Sequence, residues 1–258
     1  VGRGIYQALR ANPDCTHGDL YARLLKELYP HYVSELASQI VMLDKKDVEV
    51  PYLDRKVNCL KVFALMEPDN PRIPREIGTA LLDRGLRLSA LQNTTVTLYR
   101  AESFLRRSLQ LGPDDSVTHQ QLGEVCYILG KYAEAAASWR AILEQLSDDQ
   151  RGRLEERLLG LEEGRVPRVP AVDYLQAIGV ALDLQEQGED EEAAAILRDV
   201  LDDDVFFAQF PLPQIHYLLG LSCVRLGMPR YAEEYLAEAV RLDPDYGEAR
   251  AALAGLTT

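Results

Sequence analysis

Apolar residues recur along this chain at helical spacing, with no run of strand-like alternation. Two stretches repeat the same order of landmarks. The first, from His119, reads HQQLGEVCYILGKYAEA; the second, from His216, reads HYLLGLSCVRLGMPRYAEE. Each gives His, Leu-Gly, Cys, a second Leu-Gly and then Tyr-Ala-Glu. The pattern predicts an amphipathic helix, an end at Gly130 or Gly227, and a second helix beyond it.

Two further units follow the same plan. One has Ile77-Gly78, Gly85, Ala101, Leu105, Leu109 and Pro113; the other has Ile178-Gly179, Gly188, Ala193, Leu197 and Leu201. Between the units, Ala101 and Ala135 stand 34 residues apart, as do Leu109 and Leu143. The clearest unit runs from Ile215 to Pro244 through Leu219-Gly220, Gly227, Ala232, Leu236 and Ala239. Its neighbour has Leu122-Gly123, Gly130, Ala135, Trp139 and Leu143, with Ser147 in place of the closing Pro. These residues and this period resemble the tetratricopeptide repeat, a helix–turn–helix unit. The resemblance implies an all-α chain, a right-handed α-solenoid of stacked hairpins. Gly and Ala at the crossing positions let the two helices approach, since larger side chains there would overpack the contact.

The glycine spacings also show what has been added. Gly78 to Gly123 is 45 residues, Gly123 to Gly179 is 56, and Gly179 to Gly220 is 41. The excess falls at 86–100, at 148–170 and around Asp202–Pro213. In the first insertion, Asn93-Thr94-Thr95 reads as a polar loop and a formal glycosylation triplet. The third holds Phe206, Phe207 and Phe210, three of the five phenylalanines, which read either as a loop whose aromatics pack under the next repeat or as a secondary docking site. Ahead of the repeats, Ile5–Arg10, Asp19–Leu28, Tyr32–Leu43 and Leu53–Met66 read as four helices broken at Pro13, Pro30 and Pro51. The expected organisation is a helical segment with one diverged repeat at 1–69 and two repeats at 70–149. A charged connector at 150–170 leads to two repeats and a capping helix at 171–258.

Charge narrows the partners. The chain carries 28 basic and 41 acidic residues, a net of −13, and residues 171–258 hold 17 acidic against 5 basic. That end repels phosphate backbones, so nucleic acid is not an expected partner; a basic protein or peptide partner and a merely solvated acidic surface are both compatible with it. No apolar stretch is long enough to span a membrane. Cys15, Cys59, Cys126 and Cys223 are widely spaced, with no CxxC pair, as for reduced, buried thiols. This points to a cytoplasmic setting, with a periplasmic one equally compatible if a leader has been lost. Lysine is scarce, with Arg far commoner, which fits a bacterial chain from a GC-rich genome. The start at Val-Gly-Arg reads as a processed or excised piece.

Nothing in the motifs calls for chemistry. There is no HExxH, nucleophile elbow or Cys/His ligand set, and Gly123…Gly130-Lys131 has the wrong spacing for a phosphate loop. His119 and His216 share the position where the family places a bulky packing residue. No catalytic residue, cofactor or metal is expected, and the chain is not read as an enzyme. The resemblance implies a concave groove lined by the first helices of each repeat, placing Arg75, Thr79, Asp83, Gln120, Glu124, Tyr127, Gln176, Asp183, Tyr217 and Arg225 on it. The chaperone-binding carboxylate clamp of that family is missing, because no Asn stands at any ninth position. The expected function is a non-catalytic scaffold that binds a protein or peptide segment. The alternative is a regulatory repeat region of a longer enzyme or signalling protein, and self-association through terminal repeats is a further option.

Overall fold

The structure is a computed structural model that describes residues 1–44 and 49–256, so part of the 1–69 segment and the last two residues lie outside it. Among the described residues it is all-α, with fifteen α-helices and two short 3-10 turns. The chain forms two compact units. One comprises residues 1–90 and 95–155; the other comprises 91–94 and the residues from Glu156 onward.

The first unit opens with α1 (Gly2–Ala11), α2 (Gly18–Leu28), α3 (His31–Asp44) and α4 (Val50–Met66). Tyr6 and Leu9 of α1, Ala22 and Leu25 of α2, Leu36 of α3, and Cys59, Val62 and Met66 of α4 meet in one buried cluster. The i, i+3 spacing within α1, α2 and α4 is what turns these side chains to one face. Next come α5 (Arg72–Gly85), α6 (Thr94–Leu111), α7 (Ser116–Ile128) and α8 (Tyr132–Arg140), and α9 (Asp148–Glu162) follows them in the chain. The crossing glycines do what the repeat pattern predicts. A Cβ on Gly78 would stand 2.6 Å from Leu105 Cγ and 3.2 Å from Ala101 O, and one on Gly123 only 2.1 Å from Trp139 Nε1.

On α6, Glu102 is buried and its carboxylate is bound by Lys131 Nζ at 2.7 Å and Arg106 at 2.8 Å, with Lys131 also over the Tyr99 ring. Burial works to raise this carboxyl, but the hydrogen bonds from Lys131 and Arg106 outweigh it and hold it below the ordinary glutamate range.

Two expectations for the first insertion are corrected. Gly85 is the buried last residue of α5 and has no left-handed backbone, so the helix ends there without the expected glycine turn. The chain passes instead through a 3-10 segment, Leu88–Asn93, and Asn93-Thr94-Thr95 is no loop: Thr94 begins α6 and is fully buried, as is most of Thr97. Of the residues counted as insertion, Leu88–Asn93 form the 3-10 segment and the rest lengthen the start of the second helix by about one turn.

The second unit is built from α10 (Ala171–Gln187), α11 (Asp190–Leu201), the short α12 (Asp204–Gln209), α13 (Pro213–Arg225), α14 (Pro229–Leu242) and α15 (Gly247–Leu256). Gly220 of α13 lies against Leu236 of α14, where a Cβ would stand 2.6 Å from Leu236 Cγ. Gly179 departs from the plan. The first atoms a Cβ there would meet are Gln92 N at 2.5 Å and Leu91 C at 2.8 Å, so its bareness admits the backbone of residues 91–92.

Four helices end on the same device. Gly130, Gly164, Gly188 and Gly227 have φ between 68° and 83°, a region that favours glycine. In each case the following N–H donates back to a carbonyl five residues earlier at 2.8 Å: Lys131 to Cys126, Arg165 to Gly160, Glu189 to Leu184 and Met228 to Cys223. This closes the helix and satisfies carbonyls that would otherwise be orphaned.

Candidate partner-binding face

In the first unit the residues expected on a groove are largely engaged with their neighbours. Arg75 binds Asp115 at 2.9 Å and Glu76 at 3.1 Å. Asp115 precedes α7 and also accepts from Thr118 Oγ1 at 2.8 Å. Burial alone would raise the Asp115 carboxyl, but the bonds from Thr118 and Arg75 prevail and keep it low. Thr79 Oγ1 lies 2.7 Å from Gln121 Oε1. Asp83 and Gln120 are exposed, and Glu124 is half-buried.

Tyr127 is a correction. It is 4% exposed, with its ring 5.4 Å from Tyr132 and 5.8 Å from Trp139, so it belongs to the packing of the α7–α8 hairpin rather than to an open face.

In the second unit, Gln176 and Asp183 are half-buried on α10, and Gln92 Nε2 donates to Asp183 Oδ1. Arg225 is tied inward, donating to Gln185 O at 3.2 Å and Asp190 Oδ1 at 3.1 Å. It completes a polar network in which Gln185 Nε2 reaches Leu218 O at 2.7 Å and Ser222 Oγ at 2.6 Å. Gln185, Ser222 and Asp190 are each partnered within that network, which lets them sit in the interior at low cost.

Of the two readings of the phenylalanine cluster, packing holds for Phe206 and docking does not. Phe206 is fully buried between Tyr174 and Phe210, with centroids at 4.8 and 5.2 Å, and cannot dock a partner. Phe207 is half-buried with its ring edge-on to His216 at 5.4 Å, and Phe210 is half-buried on Phe206. Asp203 builds this arrangement. Its carboxylate caps α12 through Val205 N and Phe206 N, and accepts from Arg168 N at 2.7 Å and Tyr174 OH at 3.0 Å. His216 is buried among the rings of Phe207 and Tyr235, and neither ring nitrogen has a hydrogen-bond partner among the described residues. Burial pushes its pKa down, partly opposed by Glu238.

What stays open is one stripe of α13. Gln214, Tyr217, Leu221 and Val224 follow one another at intervals of three, four and three, the spacing of a single helix face. The first three are half-buried and Val224 is exposed, whereas Gly220, Leu219 and Cys223 around the helix are buried. Gln214 Oε1 is buried with no hydrogen-bond partner among the described residues, and the Tyr217 ring stands 5.1 Å from Tyr246. Of these four only Tyr217 stands out in the sequence. Continuing the helical spacing from it leads to the others.

Residues 213–246, which span α13, its Gly227 turn and α14, match the family model for the tetratricopeptide repeat. Those 34 residues are a tetratricopeptide repeat. Among solved structures the chain is similar to the P58(IPK) TPR domain, at 18% identity over 86% of this chain and 55% of that one, TM-score 0.39. The chain thus spans about half the length of that structure. It is similar to a tetratricopeptide repeat protein from Parabacteroides merdae at 15% identity, covering 100% and 91% of the two chains, TM-score 0.33. A third similarity is to YrrB, described as a TPR protein with an unusual peptide-binding site, at 16% identity over 98% of each chain, TM-score 0.26. No curated protein sequence matches the chain.

Two negative features bear on chemistry. Glu102, Cys126 and Glu134 bring potential metal ligands within 4.8 Å of one another. Lys131 and Arg106 already neutralise Glu102, and burial pushes the Cys126 thiol up to about 11, so the group is an ion-pair network rather than a ligand set. Among the described residues no helix is long and apolar enough to cross a membrane.

Proposed function

We propose that the chain is a non-catalytic binding module that holds a peptide or protein segment on the open stripe of α13. The supporting observation is the contrast on that helix. Its Gly220 side is sealed by Leu236, while Gln214, Tyr217, Leu221 and Val224 present an aromatic, an amide with a free buried acceptor and two aliphatic groups. An extended or helical segment can bury its own apolar side chains on Leu221 and Val224, and offer a backbone N–H to Gln214 Oε1. The acidic surplus of residues 171–258 favours a segment carrying Lys or Arg.

The test is peptide display against the full chain, with rebinding of the selected sequences to a Tyr217→Ala, Val224→Arg variant. Circular dichroism first establishes that the two proteins are equally helical. Selected peptides should be basic, should bind the variant at least tenfold more weakly, and should be recovered intact by mass spectrometry. Equal binding to wild type and variant refutes the assignment to α13, and cleaved or modified peptide refutes a non-catalytic role.

A further inference from the structure

A pocket of about 260 Å³ lies between α1 and α4, lined by Gln7, Arg10, Ala11, Arg55, Asn58 and Cys59. Its walls follow from helical spacing: Gln7 and Arg10 are three apart on α1, and Arg55 and Asn58 are three apart on α4. Each helix thus contributes one amide and one guanidinium. Among the described residues neither arginine is paired with a carboxylate. Arg10 lies over the Tyr6 ring at 5.3 Å and Arg55 over the Tyr52 ring at 5.7 Å. Asp14 and Asp54, close to these arginines in sequence, are bound to Lys61 and to Arg84 at 2.6 Å, and Glu35 faces the Tyr6 hydroxyl. Arg10 hydrogen-bonds the Cys59 thiol, while its Nε is buried with no hydrogen-bond partner among the described residues.

We infer that this pocket is a binding site for a small oxyanion, a phosphate or carboxylate group held between the Arg10 and Arg55 guanidiniums and oriented by the Gln7 and Asn58 amides. A guanidinium presents a planar fork of donors that fits two oxygens of such a group. Both forks rest on tyrosine rings, which holds them in place before the ligand arrives and reduces the ordering cost of binding. The carbonyl end of α1 opposes an anion with roughly half a negative charge, and two full positive charges at the pocket outweigh it. The volume, several times the ~30 Å³ share of one water, takes a small organic acid or phosphate compound.

The experiment titrates the full chain with inorganic phosphate and, separately, with succinate at constant ionic strength. The readout is the ¹H–¹⁵N resonances of the arginine Nε groups, assigned with Arg10→Gln and Arg55→Gln variants. Both resonances should move saturably with at least one of the two anions, and which anion saturates them at lower concentration distinguishes a phosphate from a carboxylate ligand. Arg55 is exposed, so Arg55→Gln should fold normally and bind about tenfold more weakly. Asn58→Asp supplies the pocket with its own carboxylate and should abolish binding while raising the unfolding midpoint. Shifts that stay linear with both anions, or a saturable response that survives Asn58→Asp, overturn the inference.

Discussion

Gly123→Ala is the sharpest probe of how these hairpins are held. In an exposed helix interior, replacing Gly by Ala stabilises by roughly 1 kcal/mol, because the unfolded chain loses freedom that glycine alone enjoys. At position 123 the new methyl would sit 2.1 Å from Trp139 Nε1, 2.3 Å from its Cδ1 and 2.8 Å from its Cε2, where ordinary contacts begin at 3.4 Å. The indole is fully buried and rigid, so it or the whole of α8 must retreat by more than 1 Å. Overpacking of this kind costs about 1–3 kcal/mol, and a ring met nearly head-on belongs at or beyond the upper end. The net expectation is a loss of about 2 kcal/mol after the propensity gain is deducted.

Gly152 supplies the control, since it lies in α9 where an added Cβ would find no atom within 4 Å, and Gly152→Ala should gain about 0.5–1 kcal/mol. Both sites belong to the first unit, and the chain's one tryptophan, Trp139, reports on that unit by fluorescence. Urea titrations should place the Gly123→Ala midpoint about 1 M below wild type and that of Gly152→Ala slightly above it. A Gly123→Ala protein as stable as wild type would refute the claim that helix approach at this crossing depends on the bare glycine.

Two further outcomes concern the second unit. His216 has a folded pKa below its ordinary value of about 6.5, so the unfolded chain binds the extra proton first; stability is unaffected above that pH and falls as pH drops below it, and His216→Leu should flatten that part of a thermal-melt series between about pH 7 and 5. Asp203→Ala strips α12 of its cap and leaves Tyr174 OH and Arg168 N without their acceptor, a loss of about 2–4 kcal/mol measurable by hydrogen exchange across 204–210. Burial pulls the Asp203 carboxyl up, yet the amide bonds hold it low, so in wild type this contribution is present above about pH 4 and disappears as pH falls further.

The hairpins are readable because their decisive residues are small and regularly placed. Gly78, Gly123 and Gly220 each meet the bulky partner that the repeat spacing assigns, and Gly130, Gly188 and Gly227 each adopt the left-handed turn. Gly85 carries the same residue type at the same spacing and does not turn, because the chain after it continues into a 3-10 segment instead of reversing. Gly179 keeps its place in the pattern while its nearest neighbours come from residues 91–92, far away in sequence. Phe206 is ambiguous in sequence for a related reason. Three consecutive aspartates precede it, and only the geometry shows that Asp203 caps a short helix that folds the ring inward.

The candidate binding face is harder to read, and Tyr127 shows why. It stands 97 residues before Val224, at the same place in its repeat, after the same Leu-Gly and Cys landmarks. In α7, four consecutive residues from Val125 to Ile128 are all buried, so that part of the helix has no wet side and its sequence carries no amphipathic signal to say which side faces a partner. In α13, Cys223 is buried while Val224 and Arg225 are exposed, and the face survives. The repeat motif fixes which positions could touch a ligand, because it fixes the helix phase. Whether a position is free to do so depends on what packs beside that helix: the rings of Tyr132 and Trp139 cover Tyr127, whereas Val224 stays open to solvent. Two repeats with one motif therefore offer different surfaces, and of these two it is α13 that keeps a face for the proposed ligand.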